Sequence, residues 1–493
     1  MQKKFVANLA LLLFMNLLIK PIYILGIERE VQNQVGPANY GIYFAIFNFS
    51  FLLTIILDFG ITNFNNKNIA QNNHLLTKHF SSLFSLKIIL AVIYIVITVV
   101  TGLLIGYDTR IMKLLIVQGF NMFLLFFINY MRSNLAGLHL FKTDSFVSVM
   151  DRVLLIIICL VMFKLEIFKG PNGIMYFVYA QTCSLLISSI TIFFIILRKT
   201  NSFRWHLNKA FSLMILKKSL PFAILTLLMS FYNRIDSVMI ERMLPAGVGD
   251  VQSGIYAQAF RLLDATNMIA FLTAGMLLPI FSRMLKYKES VESLVKLIST
   301  LLITPAIMIG VGCLFFSTEL MEWLYPRNPN ESLEVYNIHL SEASAIFGYL
   351  MMSFVAVSTT YIFGTLLTAN GNMKHLNIMA ASGMVLNILF NYFLIREYQA
   401  LGSAISSMAT QYLTAAIQLI IAQRVFKFKV NYRLINTMIM YAIGVVAINY
   451  GTHEMLHFHW MINFCIMVVS CGLWAFVSGM ISVKAIFRLL KYG

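Results

Sequence analysis

Fourteen long apolar runs follow one another along this chain, and they constrain its fold more than any other feature. Each run has about 20 residues, the length that a helix needs to cross roughly 30 Å of hydrocarbon. The runs are continuous rather than alternating, which excludes membrane-spanning strands. They lie near residues 5–27, 40–63, 81–105, 111–138, 146–163, 173–197, 214–241, 253–282, 291–316, 342–368, 374–394, 399–423, 434–450 and 460–483. We therefore expect an all-α polytopic membrane protein with about fourteen transmembrane helices and no soluble domain.

Composition and charge agree with a lipid environment. Only 12% of the 493 residues are charged and 59% are hydrophobic, whereas soluble domains carry about 25% charged residues. The formal charge of +17 does not indicate nucleic-acid binding, because the basic residues lie between the apolar runs. The first run resembles a signal peptide, but no small-residue cleavage site follows it and thirteen further runs come after it. It is predicted to be a spanning helix.

The distribution of charge predicts the orientation. Loops on the side of the amino terminus, with the residues beside them, hold 24 of the 37 Lys and Arg. The opposite loops hold 8, and five lie within the helices. The acidic residues have the opposite distribution, with 4 on the side of the amino terminus and 13 on the other side. Because cytoplasmic loops are enriched in Lys and Arg, both termini are predicted to be cytoplasmic. The basic segment 198–218 then lies inside, and the acidic segment 319–342 lies outside.

An internal repeat predicts how the helices are organised. Residues 27–47 (IEREVQNQVGPANYGIYFAIF) and 240–260 (IERMLPAGVGDVQSGIYAQAF) agree at nine of 21 positions without a gap. Six helices separate the two copies, so both copies have the same orientation. This pattern is typical of parallel-repeat transporters, whose substrate site lies between the halves. We expect six-helix bundles at residues 1–200 and 201–430, with two additional helices at residues 431–493.

Several short motifs carry a family resemblance. Residues 35–41 (VGPANYG), 57–61 (LDFGI) and 68–70 (NIA) resemble the amino-terminal signature of polysaccharide flippases. Residues 278–283 (LPIFSR) are similar to the second-half counterpart of that signature. These flippases belong to the multidrug/oligosaccharidyl-lipid/polysaccharide exporter superfamily, and its members generally have twelve or fourteen helices.

The resemblance also implies a function. Such proteins move undecaprenyl-pyrophosphate-linked oligosaccharides for O-antigen, capsule or exopolysaccharide across the bacterial cytoplasmic (inner) membrane. It implies alternating access, a proton or sodium gradient as driving force, and contacts with polysaccharide assembly proteins. We expect a transporter rather than an enzyme, and we expect no cofactor, metal or nucleic acid.

Ionisable residues inside predicted helices are the candidate site residues, because each costs about 2.5–3.5 kcal/mol near the bilayer centre. Eight are predicted there: Lys20, Asp58, Lys87, Arg132, Arg234, Asp236, Arg261 and Asp264. Lys20, Arg234 and Arg261 lie roughly 6–10 Å outward of their helix midpoints. Together they predict a cationic layer that binds the pyrophosphate, since arginine offers a bidentate fork. Arg132 is a further candidate for substrate binding.

Other interpretations of these charges stay open. Arg261 and Asp264 are three residues apart and can neutralise each other. Arg132 and Lys87 lie nearer the cytoplasmic helix ends, where long side chains reach the headgroups. The carboxylates Asp58, Asp236 and Asp264 are candidates for carrying the coupling ion, although Asp58 can also serve as a helix cap. His453, His457 and His459 are predicted to be interfacial rather than metal ligands.

Three alternative functions compete with the flippase hypothesis. A membrane polymerase or ligase would be expected to place a large charged loop outside, and the longest outer loop here has about 25 residues. A multidrug exporter would need an anionic cavity, whereas the helices contain five cations and three acids. A flippase for the peptidoglycan precursor lipid II also binds a pyrophosphate, so the charges do not distinguish it. The chain has no GxxxxGK[ST] motif, which argues against ATP hydrolysis.

Overall fold

The structure is a computed structural model. The structure describes residues 11, 14–62, 65, 75–138, 140–170, 172–200, 209–328, 331–429 and 431–481. The predicted start of the first spanning helix, the centre of the basic segment, residues 68–70 of the signature and the last two residues of the fourteenth run lie outside these ranges.

All fourteen predicted runs correspond to helices in the described ranges. In the first half, helix α1 (residues 14–21) continues as a π-helix, Ile22–Glu28. The following helices are α2 (Arg29–Leu52), α3 (Ile55–Asp58), α4 (Leu75–Ile105), α5 (Thr109–Gly137), α6 (Phe141–Lys164), a 3₁₀ turn (Ile167–Lys169), α7 (Gly173–Thr200), α8 (Lys209–Met243) and α9 (Val248–Lys286).

The second half continues the helical pattern. Its helices are α10 (Glu292–Phe315), α11 (Ser317–Leu324), α12 (Leu333–Ala369), α13 (Met373–Phe426), α14 (Tyr432–Tyr450) with a π-helical end (Gly451–Met455), and α15 (Trp460–Val477). Two elements contain a break. Gly36 has a φ of 78° inside α2, a conformation that glycine adopts without strain, and it separates the first two predicted runs. Gln399 has a φ of 51° inside α13, at the predicted start of the twelfth run.

The helices have the surface of a membrane protein. Eleven of them within the described residues are long and apolar enough to cross a bilayer. Large apolar side chains point outward along α4, where Val92, Leu103 and Leu104 are 58%, 62% and 82% exposed. Such a surface is stable in lipid and unfavourable in water. The chain is therefore a multi-pass membrane protein, as the sequence predicts.

By packing, the chain divides into two compact units, Met1–Gly254 and Ile255–Gly493. In the first, α8 packs against α2, α3 and α4, which places the seventh spanning helix with the six before it. In the second, α14 and α15 pack on α10 around Val311, Tyr441 and Met467. The bundles expected from the repeat, at residues 1–200 and 201–430, stay a prediction, because packing and sequence repetition need not divide a chain at the same residue.

The two copies of the repeat meet inside the first unit. A Cβ atom added to Gly41 on α2 would overlap the carbonyl oxygen of Asp250 on α9. A Cβ atom added to Gly254 would overlap the carbonyl oxygen of Pro37. Since Gly41 and Gly254 are equivalent in the repeat, as are Pro37 and Asp250, the contact is reciprocal. Residues 37–41 and 250–254 are thus related by a local twofold, with backbone against backbone.

One segment of the second half differs from the prediction. Residues 317–341 were expected to form a loop, but they contain α11 and the first turns of α12. The short helix α11 (STELMEWL) buries Met321 and Leu324, while Trp323 is 54% exposed. Its two glutamates interrupt the apolar run, so a search for continuous hydrophobicity does not find it.

Candidate substrate and ion sites

A cluster of charged residues from three helices lies within the first unit. It contains Lys20 of α1, Arg132 of α5 and the neighbours Asp151 and Arg152 of α6. Lys20 lies within electrostatic range of the other three. Both predicted substrate residues of this half, Lys20 and Arg132, therefore share one charged environment. The structure adds Arg152, whose sequence position, close to the predicted cytoplasmic start of its helix, gives no sign of a role in a site.

Ion pairs within this cluster fix its arginines. Arg132 donates from Nε to Asp144 Oδ1 at 2.7 Å and from Nη2 to Asp144 Oδ2 at 3.3 Å. This is the bidentate fork that guanidinium forms with a planar anion. Arg152 lies 3.6 Å from Asp151 and 4.8 Å above the ring of Tyr23. The buried Glu28 carboxylate also lies within electrostatic range of Arg152. Three cations and three acids therefore offset one another in this cluster, and Arg132 already uses its fork on a protein carboxylate.

Arg234 lies elsewhere in the same unit, on α8. Its guanidinium is 5.5 Å above the ring of Phe51 near the end of α2, in a cation–π arrangement. The side chain is half-buried. Nearby contacts fix α8 against α2, since Asn48 donates to the hydroxyl of Ser237 at 2.7 Å. The arginine is therefore held on a rigid pair of helices, as a binding residue requires.

The three candidate coupling carboxylates have different environments. Asp236 on α8 is 1% exposed, so it is the most deeply buried of the three. Asp264 on α9 lies 3.6 Å from Arg261, and both side chains are mostly buried. The prediction that these two residues can face each other is confirmed within the second unit. The roles of Asp236, Asp264 and Arg261 in transport stay predictions.

Asp58 forms a buried ion pair with Lys87 that the sequence did not predict. The Lys87 ammonium also donates to the Leu57 carbonyl at 3.0 Å and lies 5.6 Å from the centroid of the Tyr130 ring. Asp58 additionally accepts from the hydroxyl and backbone N–H of Thr62. Lys87 is only 3% exposed, so the expectation that it reaches the headgroups is wrong. A coupling role for Asp58 would require this pair to open.

The end of α3 explains why this pair forms. Phe59 and Gly60 have φ values of 45° and 74°, so the helix ends immediately after Asp58. The last carbonyls of a helix lack intrahelical donors, and Lys87 supplies one to Leu57. The pair therefore joins the broken end of α3 to the middle of α4.

The predicted layer of Lys20, Arg234 and Arg261 stays a prediction. The structure shows Lys20 and Arg234 in the first unit and Arg261 in the second.

Comparison with known proteins supports a transporter fold. A family model described as "Polysaccharide biosynthesis protein" matches residues 5–285. The lipid II flippase MurJ, in an inward closed conformation, has a similar structure, with a TM-score of 0.74 and 13% identity over 95% of this chain and 98% of that chain. No curated protein sequence matches this chain.

Two further solved structures share the fold. An inward-facing MATE family multidrug resistance transporter of the MOP superfamily has a TM-score of 0.64 and 16% identity, covering 86% of this chain and 98% of its own. A MOP superfamily transporter from Pyrococcus furiosus has a TM-score of 0.54 and 15% identity, covering 86% and 96%. At these identities the likeness shows the fold alone.

Proposed function

Because this chain belongs to the family of polysaccharide biosynthesis proteins, we propose that it flips lipid-linked oligosaccharides across a bacterial cytoplasmic membrane. The cargo is an undecaprenyl-pyrophosphate-linked repeat unit that moves from the cytoplasmic to the periplasmic leaflet by alternating access. Both termini lie in the cytoplasm. The transporter fold and the parallel repeat supply two halves that can open alternately.

The single observation that carries this proposal is the set of cations held on helices inside the first unit. Lys20 and Arg234 come from α1 and α8, and neither helix needs a charge for its own stability in lipid. An anionic headgroup is the cargo that such residues fit, since guanidinium and ammonium groups bind phosphate oxygens with charge-assisted hydrogen bonds. Arg261 is proposed to join them from the second half of the repeat, and Arg132 to act from beside Lys20.

The first prediction concerns Arg234. Replacing Arg234 with Ala removes a charge-assisted contact worth roughly 1.5–3 kcal/mol, so the apparent affinity for lipid-linked oligosaccharide should fall about tenfold to hundredfold. Arg234→Lys should recover little of this loss if the contact is bidentate. The measurement is translocation of the lipid-linked oligosaccharide in proteoliposomes. Arg433→Ala, at an exposed arginine on α14, is the matched control and should transport normally. Wild-type affinity in Arg234→Ala would remove this residue from the site.

The second prediction concerns the driving ion. Asp236 is the strongest of the three coupling candidates because it is 1% exposed on a spanning helix, and carboxylates buried in spanning helices often carry a proton or sodium ion. Asp236→Asn should abolish the stimulation of transport by an imposed gradient and leave the protein folded. Glu397→Gln, at an exposed acid on α13, should keep that stimulation. Asp58→Asn and Asp264→Asn are assayed in the same way, and loss of the gradient stimulation in either variant would assign the coupling ion to that residue.

A lipid II flippase is the second candidate function, because its cargo also contains pyrophosphate and the MurJ fold is similar. Complementation distinguishes the two functions directly. The chain should restore surface polysaccharide in a strain that lacks its oligosaccharide flippase, and it should not restore growth in a strain that lacks its lipid II flippase. Restored growth without restored surface polysaccharide would instead assign the lipid II flippase function.

A further inference from the structure

The first unit has a cavity that the proposed transport pathway does not use. Its volume is about 910 Å³, within the range of roughly 300–1,000 Å³ that small-molecule sites occupy. Four segments line it, at residues 39–42, 106–114, 172–179 and 241–250. Each joins two successive spanning helices on the side that the Lys and Arg distribution predicts to be outside. The cavity therefore lies on the outer face.

The charges that line this cavity balance one another. Arg110, Lys113 and Arg242 are opposed by Asp108, Glu241 and Asp250. Arg242 Nε lies 2.9 Å from Glu241 Oε2, and Arg110 donates from Nη2 to Asn39 Oδ1 at 3.3 Å. A pyrophosphate would need an excess of cations, because each carboxylate repels it. The cavity instead offers donors and acceptors in similar number, and this is what an uncharged polyhydroxylated ligand requires.

Tyrosine rings complete the lining. Tyr107 is 7% exposed and lies beneath the Arg242 guanidinium, which is 3.8 Å from the ring centroid. Burial, with a smaller effect from Glu241, raises the pKa of Tyr107 to about 12, so its hydroxyl stays protonated at neutral pH. Tyr176 and Tyr179 are 44% and 48% exposed, so their rings are accessible. An aromatic ring presents a negative face, against which the polarised C–H groups of a pyranose pack well.

We propose that this outer cavity binds an uncharged carbohydrate, namely the glycan part of the lipid-linked cargo once it has reached the outer leaflet. The source of the glycan rests on the proposed function, whereas the chemistry of the site rests on the cavity itself. The remaining N–H groups of Arg110 and Arg242 bond to sugar hydroxyls. Asn39 donates to the Val35 carbonyl and accepts from Arg110, so it holds Arg110 in place. Tyr176 packs against a sugar ring. The site retains the glycan at the outer surface and so opposes its return.

The test uses purified full-length protein in detergent. The probe is the oligosaccharide released by mild acid from the surface polysaccharide of the source cells, without lipid or phosphate. Saturation-transfer NMR should detect its binding to the wild type. Arg110→Ala and Tyr176→Leu should each weaken this binding about tenfold, as expected for one lost charge-assisted bond or ring contact. Arg327→Ala and Tyr432→Leu alter exposed residues of the same types in the second unit, and they should bind like the wild type.

Two outcomes overturn the assignment. One is oligosaccharide binding that neither Arg110→Ala nor Tyr176→Leu weakens although both fold. The other is inorganic pyrophosphate displacing the oligosaccharide, which would make the cavity an anion site. Translocation in proteoliposomes is measured in parallel. A wild type that binds the free oligosaccharide through these residues but does not move its lipid-linked form would reject the proposed function and retain the carbohydrate site.

Discussion

Replacing Lys87 with methionine should lower the free energy of unfolding by about 3–5 kcal/mol, the usual cost of removing one partner from a buried ion pair. The ammonium is 3% exposed and holds both Asp58 and the Leu57 carbonyl. Methionine retains the apolar stem but leaves the carboxylate without its counter-charge and the carbonyl without a donor. The change is measured by thermal or denaturant unfolding in detergent, with transport assayed on the same preparation.

A double variant separates charge from packing. The double variant carries both Lys87→Met and Asp58→Asn, so no unpaired carboxylate charge is buried. The amide oxygen introduced by Asp58→Asn still accepts from Thr62. The double variant should therefore recover most of the stability that Lys87→Met alone loses. Lys286→Met, at an exposed lysine on α9, is the control and should change stability by less than about 0.5 kcal/mol. A single variant as stable as the wild type would show that Asp58 does not depend on Lys87.

The second large effect is expected where α2 crosses α9. Gly41→Ala or Gly254→Ala should each lower the free energy of unfolding by about 3 kcal/mol, at the upper end of the usual cost of overpacking. The added methyl would meet backbone carbonyls, which cannot rotate away as a side chain would. Thermal unfolding in detergent measures the loss, and transport should fall with it.

The same chain offers matched controls for these glycines. Gly26 and Gly275 have open space where a Cβ would lie, and neither has a positive φ. Alanine at either position should be neutral or stabilise the helix by up to about 1 kcal/mol. Equal tolerance at Gly41 and Gly275 would contradict the close crossing.

The sequence predicts most of the fold because lipid imposes one simple rule. A spanning helix must satisfy its backbone internally and present apolar side chains, so its length and position are visible as a hydrophobic run. The breaks at Gly36 and Gln399 also follow the predicted ends of runs. The helix α11 does not follow this rule, because a short amphipathic helix needs only one apolar face.

The charged sites are less predictable because pairing depends on which helices are neighbours. Asp58 and Lys87 are 29 residues apart, and the depth of each in its own helix does not show that they meet. The sequence predicts Arg132 as a substrate-binding residue and gives no sign that Asp144 holds its fork. The outer cavity gives no signal at all in the sequence, since polar residues such as Asn39 and Arg110 are expected at helix ends whether or not they form a site.

The glycine crossing also has a consequence for how this gene can evolve. After a duplication, the two copies usually diverge freely, because each residue is constrained only by its own local contacts. Gly41 and Gly254 instead face the main chain of the opposite copy, so a side chain acquired by either one disturbs both. We therefore expect selection to act on these two glycines jointly. An alanine at Gly41 or Gly254 disturbs the crossing whichever copy acquires it, so we expect both positions to remain glycine. They are two of the nine positions that residues 27–47 and 240–260 share.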